Sequence, residues 1–369
     1  SVSERRDFWE GALGMIKERP LTGFGPDTFR YAFPHYQKVP LANSDHPHNM
    51  MLKHAAEFGV PSTLLYLGII FTALLLGWKF GRKNELTFSI LIASSAIIAH
   101  NMIDFNLNFA STAAIFWTFL GLLISQSLEK ISIKKSALTP KRIVICLSML
   151  IVGVLFIGGM YEIYQRTKIV EARIAQQEKN YEKAETLLAN SKPLFFEDAI
   201  LLRVHNAINA KNEKLAHELL SNITKRNPIY AESFNLWSEL FVKVGRLDNA
   251  QVTNYRALEL DRYNRLAYHL QWIRIQQKIG KPLDQKTEKT YQEMLEDYLE
   301  LLKNNAHNTV TTDDPSSAIQ ITHAIEEFTT NGARKIHMKS LRRKLTETAE
   351  LERKKFTEKF HVTLEPLSL

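Results

Sequence analysis

The chain has 369 residues, 45% apolar and 23% charged, a balance that excludes global disorder. A single cysteine, Cys146, excludes a disulfide scaffold and any multi-cysteine zinc or iron–sulfur centre. The formal charge of +8 fits an anionic partner, nucleic acid or membrane surface, but helix-turn-helix, zinc-finger and aromatic RNA-binding motifs are missing, so no nucleic acid is expected.

Apolar residues crowd the first 161 positions and charge dominates the rest. Residues 1–59 are too polar to span a bilayer and too patterned to be a linker. Glu4–Lys17 has helical spacing, with Phe8, Trp9, Leu13 and Ile16 on one face. Glu18-Arg19-Pro20 ends it, because the residue before a proline resists the helical region. Gly23-Phe24-Gly25-Pro26 reads as a turn, and Thr28–Tyr36 is short and aromatic. Asp45-His46-Pro47-His48-Asn49 then leads into a helix over Met50–Phe58 that Gly59 ends.

Four runs follow without Asp, Glu, Lys or Arg: Val60–Trp78, Leu86–Ile103, Phe105–Leu128 and Ile143–Tyr161. Each approaches the roughly 20 residues that a helix needs to cross hydrocarbon. Helices are the expected spanning element, since lipid offers no partner to an open strand edge. Lys79, Arg82 and Lys83 follow the first run, and Lys130, Lys134, Lys135, Lys141 and Arg142 separate the third from the fourth. Basic short loops stay cytoplasmic, which puts residues 1–59, the Asp104–Ala110 connection and everything after Tyr161 outside. His100, Asn101, Asp104, Asn106 and Asn108 then cluster at the outer end of the second run, where ionisable residues are costly and often functional. A spacing of four puts His100 and Asp104 on one helical face. An interfacial cap is the plainer role for the cluster.

Several of these elements match a known family. Arg5 and Trp9, Pro20-Leu21-Thr22-Gly23-Phe24-Gly25, His48-Asn49 and Glu57-Phe58-Gly59 occur in the order found in the O-antigen ligase and O-antigen polymerase superfamily. "HNMIDFNLNFASTAAIFWTFLGLL" resembles that family's penultimate hydrophobic region. The likeness covers about residues 1–128; Ser62 departs from it, standing where the family repeats glycine. The resemblance implies a bacterial inner-membrane, multi-pass enzyme that moves a glycan from undecaprenyl diphosphate to an acceptor hydroxyl. The family has more spans than the four read here, so the sequence is expected to be the C-terminal part of a longer chain.

The residue types suit that chemistry. A diphosphate leaving group calls for cations that stay charged, which is arginine's role, here carried onto Arg5. A hydroxyl acceptor calls for a base that titrates near neutrality, here His48. Arg6 and Arg30 are further diphosphate candidates on charge and location, and Asn49, His100 and Asp104 are candidate substrate-binding residues. Arginines in this role require no metal or other cofactor. Plainer readings stand beside these: His48 as a surface residue or helix cap, Arg5 and Arg6 as solvated first-turn residues, and His46-Pro47-His48 as a metal pair lacking an evident third ligand. Gly23-Phe24-Gly25 has no Walker lysine and is a turn, not a phosphate loop.

From Glu162 onward helical spacing dominates, and a repeat is visible. Ala184, Ala216 and Ala250 occupy like places in "YEKAETLLANS", "NEKLAHELLSNI" and "LDNAQVTNYRAL". Phe234, Trp237, Phe241, Gly245, Ala250 and Ala257 follow tetratricopeptide spacing, with Pro228 closing the preceding repeat and Arg262 where a proline is usual. A degenerate unit is expected from Leu266 to about Tyr298. Such repeats stack into solenoids that bind protein partners. Asn304–Ser316 reads as a polar loop, with Asp314 and Pro315 as cap and first-turn proline of the next helix. Ala318–Phe360 reads as one or two charged terminal helices anchored by Leu341, Leu345, Phe356 and Phe360, with Arg342-Arg343-Lys344 and Arg353-Lys354-Lys355 as solvated faces.

The expected fold is all-α: an extracytoplasmic loop (1–59), four transmembrane helices (60–161), a tetratricopeptide-like solenoid (162–300) and charged C-terminal helices (301–369). The expected partners are the undecaprenyl-diphosphate-linked glycan, membrane lipid and a protein on the repeats. The competing function is a non-catalytic, membrane-anchored tetratricopeptide scaffold, which leaves the ordered Arg, Gly and His elements without a purpose.

Overall fold

The computed structural model describes residues 2–38, 44–130, 140–192, 198–263, 265–281, 283–304, 312, 314–364 and 367. Among the described residues there are fifteen α-helices and no strand. They fall into two compact units, Ser1–Tyr36 with Ser44–Ala210, and Gln37–Asn43 with Lys211–Leu369.

The first unit opens with α1 (Val2–Glu18) and α2 (Phe29–Tyr36). The buried face of α1 is Phe8, Gly11, Ala12 and Met15. The face expected from large apolar residues is corrected: Leu13 is 54% exposed, and Trp9 and Ile16 are only partly covered. Small residues decide the contact. A Cβ on Gly11 would sit 2.5 Å from Phe33 Cε2, and one on Gly14 2.7 Å from Tyr36 Cδ1. The glycines therefore let α2 lie directly on α1, with Phe29 and Phe33 stacked at 5.2 Å beneath it.

Next come α3 (Met50–Leu76), a π turn at Gly77–Gly81, α4 (Glu85–Asn101), a 3-10 turn at Asn106–Asn108, and α5 (Ala110–Lys130). Ile70, Ala73, Ile90, Leu91, Phe116, Leu120 and Leu123 form their shared core. Their outer faces stay apolar and uncovered, at Leu65, Leu75, Leu86 and Ile92 among others. Met50–Gly81 is long and apolar enough to cross a membrane, with mean hydropathy 1.9 in its most apolar window; Glu85–Asn101 and Ala110–Ser125 are apolar but shorter. The run read from Phe105 begins its helix only at Ala110, because Asn106–Asn108 folds as a turn.

The helix α6 (Pro140–Gln177) carries the fourth apolar run and continues unbroken past Tyr161. The expected boundary after Tyr161 is thus no break in the backbone. α6 packs on α7 (Tyr181–Ala189), which packs on α8 (Asp198–Asn209). Lys134 and Lys135 of the expected basic loop lie outside the described residues, as do the side chains of Lys130, Lys141, Arg142 and Cys146.

The second unit holds α9 (Glu213–Arg226), α10 (Ala231–Lys243), α11 (Leu247–Leu260), α12 (Leu266–Ile279), α13 (Gln285–Asn304), α14 (Asp314–Phe328) and α15 (Gly332–Phe360). Its largest core joins Leu270 and Ile273 of α12, Leu295 and Leu302 of α13, Ile321 and Ile325 of α14, and Met338, Leu341 and Leu345 of α15. Asp314 Oδ1 accepts from the Leu266 amide at 2.9 Å, so this carboxylate serves the start of α12. Arg342 is corrected from a solvated residue to a partner of Glu326, at 3.0 Å. Arg334 pairs with the buried Glu288, which also accepts from Thr329 Oγ1 at 3.1 Å.

Candidate active site

Two glycine motifs build one joint. Gly23 (φ 64), Gly25 (φ 111) and Gly59 (φ 82) all have backbone angles that favour glycine. Gly59 breaks helical geometry inside α3 and separates Met50–Phe58 from the apolar stretch beyond. The carbonyls freed there are taken by the turn: Phe24 N donates to Ala56 O at 3.0 Å, and Gly25 N donates to Glu57 O at 2.8 Å. In return Val60 N donates to Pro20 O at 2.7 Å. The Glu57 side chain, 4% exposed, accepts from Phe29 N at 3.1 Å and so caps α2. The turn, α2 and the start of α3 are thereby locked together.

His48 sits on this frame with φ 52, a left-handed conformation in a residue that is not glycine. The next residue fixes it. Asn49 Oδ1 accepts from Leu52 N at 2.9 Å as the cap of α3, and its Nδ2 donates to Met102 O at 2.9 Å. The same turn is held from within by Asn101, whose Oδ1 accepts from Leu107 N at 2.9 Å. These bonds bring the end of α4 beside His48.

Asp104 then stands between two imidazoles. Its Oδ1 lies 3.7 Å from His48 Nδ1 and its Oδ2 lies 3.8 Å from His100 Nε2. Both are ion-pair distances, longer than direct hydrogen bonds. Phe8 of α1 stacks on the His48 ring at 5.9 Å, and Phe105 meets it edge-on at 4.8 Å. Burial holds the His48 pKa below its usual value, and the Arg5 charge adds to this; Asp104 opposes both.

The expected residues divide into two groups. His48, Asn49, His100 and Asp104 come together, and Arg5 is near enough to act on His48 through its charge. Arg6 is largely exposed and pairs with Glu10 on its own helix at 3.3 Å. Arg30 pairs with Asp27 at 3.2 Å and covers the Tyr31 ring. Both polar ends of Asn49 are engaged with the protein itself. Among the described residues no group of three His, Cys, Asp or Glu is placed to hold a metal.

Sequence reasoning gives Lys53 no role, and reads Phe8 and Phe105 only as parts of apolar runs. Lys53 is 13% exposed and lies 3.9 Å from both Asp27 Oδ1 and Glu57 Oε1. The i,i+4 spacing of Lys53 and Glu57 was visible in the sequence, but the burial that gives it weight was not.

Residues 1–67 match the O-antigen ligase family. No curated protein matches the chain. The matched stretch holds both glycine motifs and His48-Asn49, whereas His100 and Asp104 lie beyond it. An O-antigen ligase likeness points to glycan transfer or polymerisation at a bacterial inner membrane, with a lipid-linked glycan as substrate. A cavity of about 990 Å³ in the second unit, lined by Leu270, Arg274, Ile319, Ile336, Lys339 and Arg343, contains no residue of the matched stretch.

Proposed function

We propose that the protein transfers or polymerises a glycan from undecaprenyl diphosphate onto an acceptor hydroxyl at the outer face of the cytoplasmic membrane. The observation that carries this reading is the pairing of His48, which with Arg5 lies inside the stretch that matches the O-antigen ligase family, with Asp104 beyond it. The acceptor oxygen attacks the anomeric carbon while His48 orients the hydroxyl or takes its proton. The bond from that carbon to the diphosphate oxygen breaks, and Arg5 holds the departing charge. Asp104 stabilises the imidazolium that forms.

The fold offers support for the membrane setting. Val60–Trp78, Leu86–Ile103, Phe105–Leu128 and Ile143–Tyr161 serve as spans in this reading. Lys79, Arg82 and Lys83 follow the far end of α3, while His48 and Asp104 lie at its start. The uncovered apolar faces of α3, α4 and α5 are costly in water and suited to lipid. Residues 162–300 act as tetratricopeptide-like repeats: Ala184, Ala216 and Ala250 are each 0% exposed, as helix pairs at close approach require.

The test is transfer of a carrier-linked glycan by the full chain in lipid nanodiscs. His48→Ala is expected to lower turnover about 100-fold or more, the scale of a lost general base. Turnover at the wild-type rate removes the assignment.

The scaffold reading draws on the cavity among α12, α14 and α15, whose walls mix apolar groups with charges of both signs. Specific capture of one membrane-assembly protein by the intact chain, with no glycan transfer, would favour it.

A further inference from the structure

One group of titratable side chains is left over from the mechanism above. Lys53 Nζ lies 2.8 Å from His46 Nδ1. An ammonium has only donors, so His46 Nδ1 is the acceptor and the ring carries its proton on Nε2. Asp27 Oδ1 and Glu57 Oε1, each 3.9 Å from Lys53 Nζ, face the charge of this largely covered lysine. Asn108 Nδ2, 3.5 Å away, approaches the same Nδ1 from the turn after α4. Nε2 makes no hydrogen bond among the described residues.

The ring is also fixed in place. It packs on Phe105 at 4.8 Å, and Phe105 meets His48 at 4.8 Å, so one phenyl separates the two imidazoles. Ser44 Oγ and the His46 backbone bind one another, closing the loop before Pro47.

We propose that Lys53 is a positioning residue: its ammonium occupies His46 Nδ1 and so presents Nε2–H of a neutral ring as a fixed donor to an oxygen of the carrier diphosphate. This rests on the reading that the diphosphate leaves beside His48. A neutral donor there complements Arg5: it steadies oxygens without adding a second full charge that would hold the product. The groups facing His46 are Lys53 of α3, Asp27 of the turn, Asp45 and His48 of its own segment, and Asn108. Burial first and Lys53 next push its pKa down to about 4, while Asp45 and Asp27 pull the other way.

The decisive measurement is nitrogen-15 NMR of histidine-labelled full chain in nanodiscs, with His46 assigned from the His46→Gln spectrum. The expected result is the Nε2–H tautomer with no titration above about pH 5. In Lys53→Met the midpoint should rise by about one unit or more, since a neighbouring cation has been removed. An Nδ1–H tautomer in the wild type, or a midpoint unmoved in Lys53→Met, overturns the proposal.

Transfer kinetics provide the second arm. His46→Ala and Lys53→Met should each lower kcat/KM about 10- to 100-fold, the scale of one hydrogen bond to a charged group. Lys53→Arg should stay within about threefold of wild type, because it keeps a charged donor. Equal losses in Lys53→Met and Lys53→Arg would mean that the lysine merely supports the fold. A wild type with the expected tautomer but no transfer would overturn the reaction itself, and with it the diphosphate as this donor's partner.

Discussion

His48 Nδ1 lies 3.7 Å from Asp104 Oδ1, which ties the segment before α3 to the turn that leaves α4. A match confined to residues 1–67 holds one half of this pair. The other half comes from the polar cluster at the end of α4, whose residue types would serve equally well as a plain cap. The pairing brings Asp104 to His48.

That pairing sets the pH dependence. The His48 pKa is lowered by burial and by Arg5 and raised by Asp104, so the unprotonated ring persists below the usual imidazole range. The acid limb of the transfer rate should accordingly fall below pH ~6.5. Arg5→Gln removes a lowering charge and should move the limb up. Asp104→Asn removes a raising one and should move it down, while membrane insertion is kept. Rate–pH profiles of the three proteins check this, and shifts of the same sign would contradict it.

Asn49 makes a separate prediction. Its Oδ1 caps α3 and its Nδ2 holds Met102 O, so Asn49→Ala loses both bonds. The loss should cost about 1–2 kcal/mol. Asn49→Ser keeps a capping oxygen and loses only the bond to Met102. Its melting temperature should therefore fall between those of wild type and Asn49→Ala, whereas its turnover should drop nearly as far as that of Asn49→Ala. Equal melting temperatures for the two variants would contradict the cap.

Much of the frame was legible in the sequence, because local rules fixed it. Gly59 ends a helix, Gly23 and Gly25 make a turn, and Pro20 stops α1 soon after Glu18, each through backbone geometry that the residue type dictates. The helical character of the second half followed from spacing in the same way. What escaped was tertiary. The packing face of α1 was set by Gly11 and Gly14, which mark close approach, and not by Leu13 and Ile16, which are merely large. Lys53 gains its weight only from its place between Asp27, Glu57 and His46. Arg6 and Arg30 qualify on charge and location, yet each has an acidic neighbour on or beside its own helix.

The glycine joint should be intolerant of side chains. A Cβ on Gly23 would lie 2.3 Å from the Glu57 carbonyl carbon, and one on Gly59 2.3 Å from Leu21 O. Both obstacles are backbone, and both φ angles are positive. Gly23→Ala and Gly59→Ala should each destabilise by about 1–3 kcal/mol or more. Gly121→Ala, whose Cβ would meet nothing within 4 Å, is the control and should melt like wild type or higher. Thermal unfolding in detergent compares the three, and unchanged melting of Gly59→Ala would show that the joint yields.

The repeat half can be probed at one methyl group. Ala250 of α11 is 0% exposed, as are Ala184 and Ala216. α11 packs against both α10 and α12, so a larger side chain has no empty side to occupy. Ala250→Leu should destabilise by about 1–3 kcal/mol through overpacking. Val252, two residues on, is 70% exposed, and Val252→Ser should change stability by less than about 0.5 kcal/mol. The pair differs in burial and hardly in chain position, so unfolding curves read by helical circular dichroism isolate the packing term. Near-equal curves would mean that α10, α11 and α12 are not held at the close approach that tetratricopeptide-like pairs require.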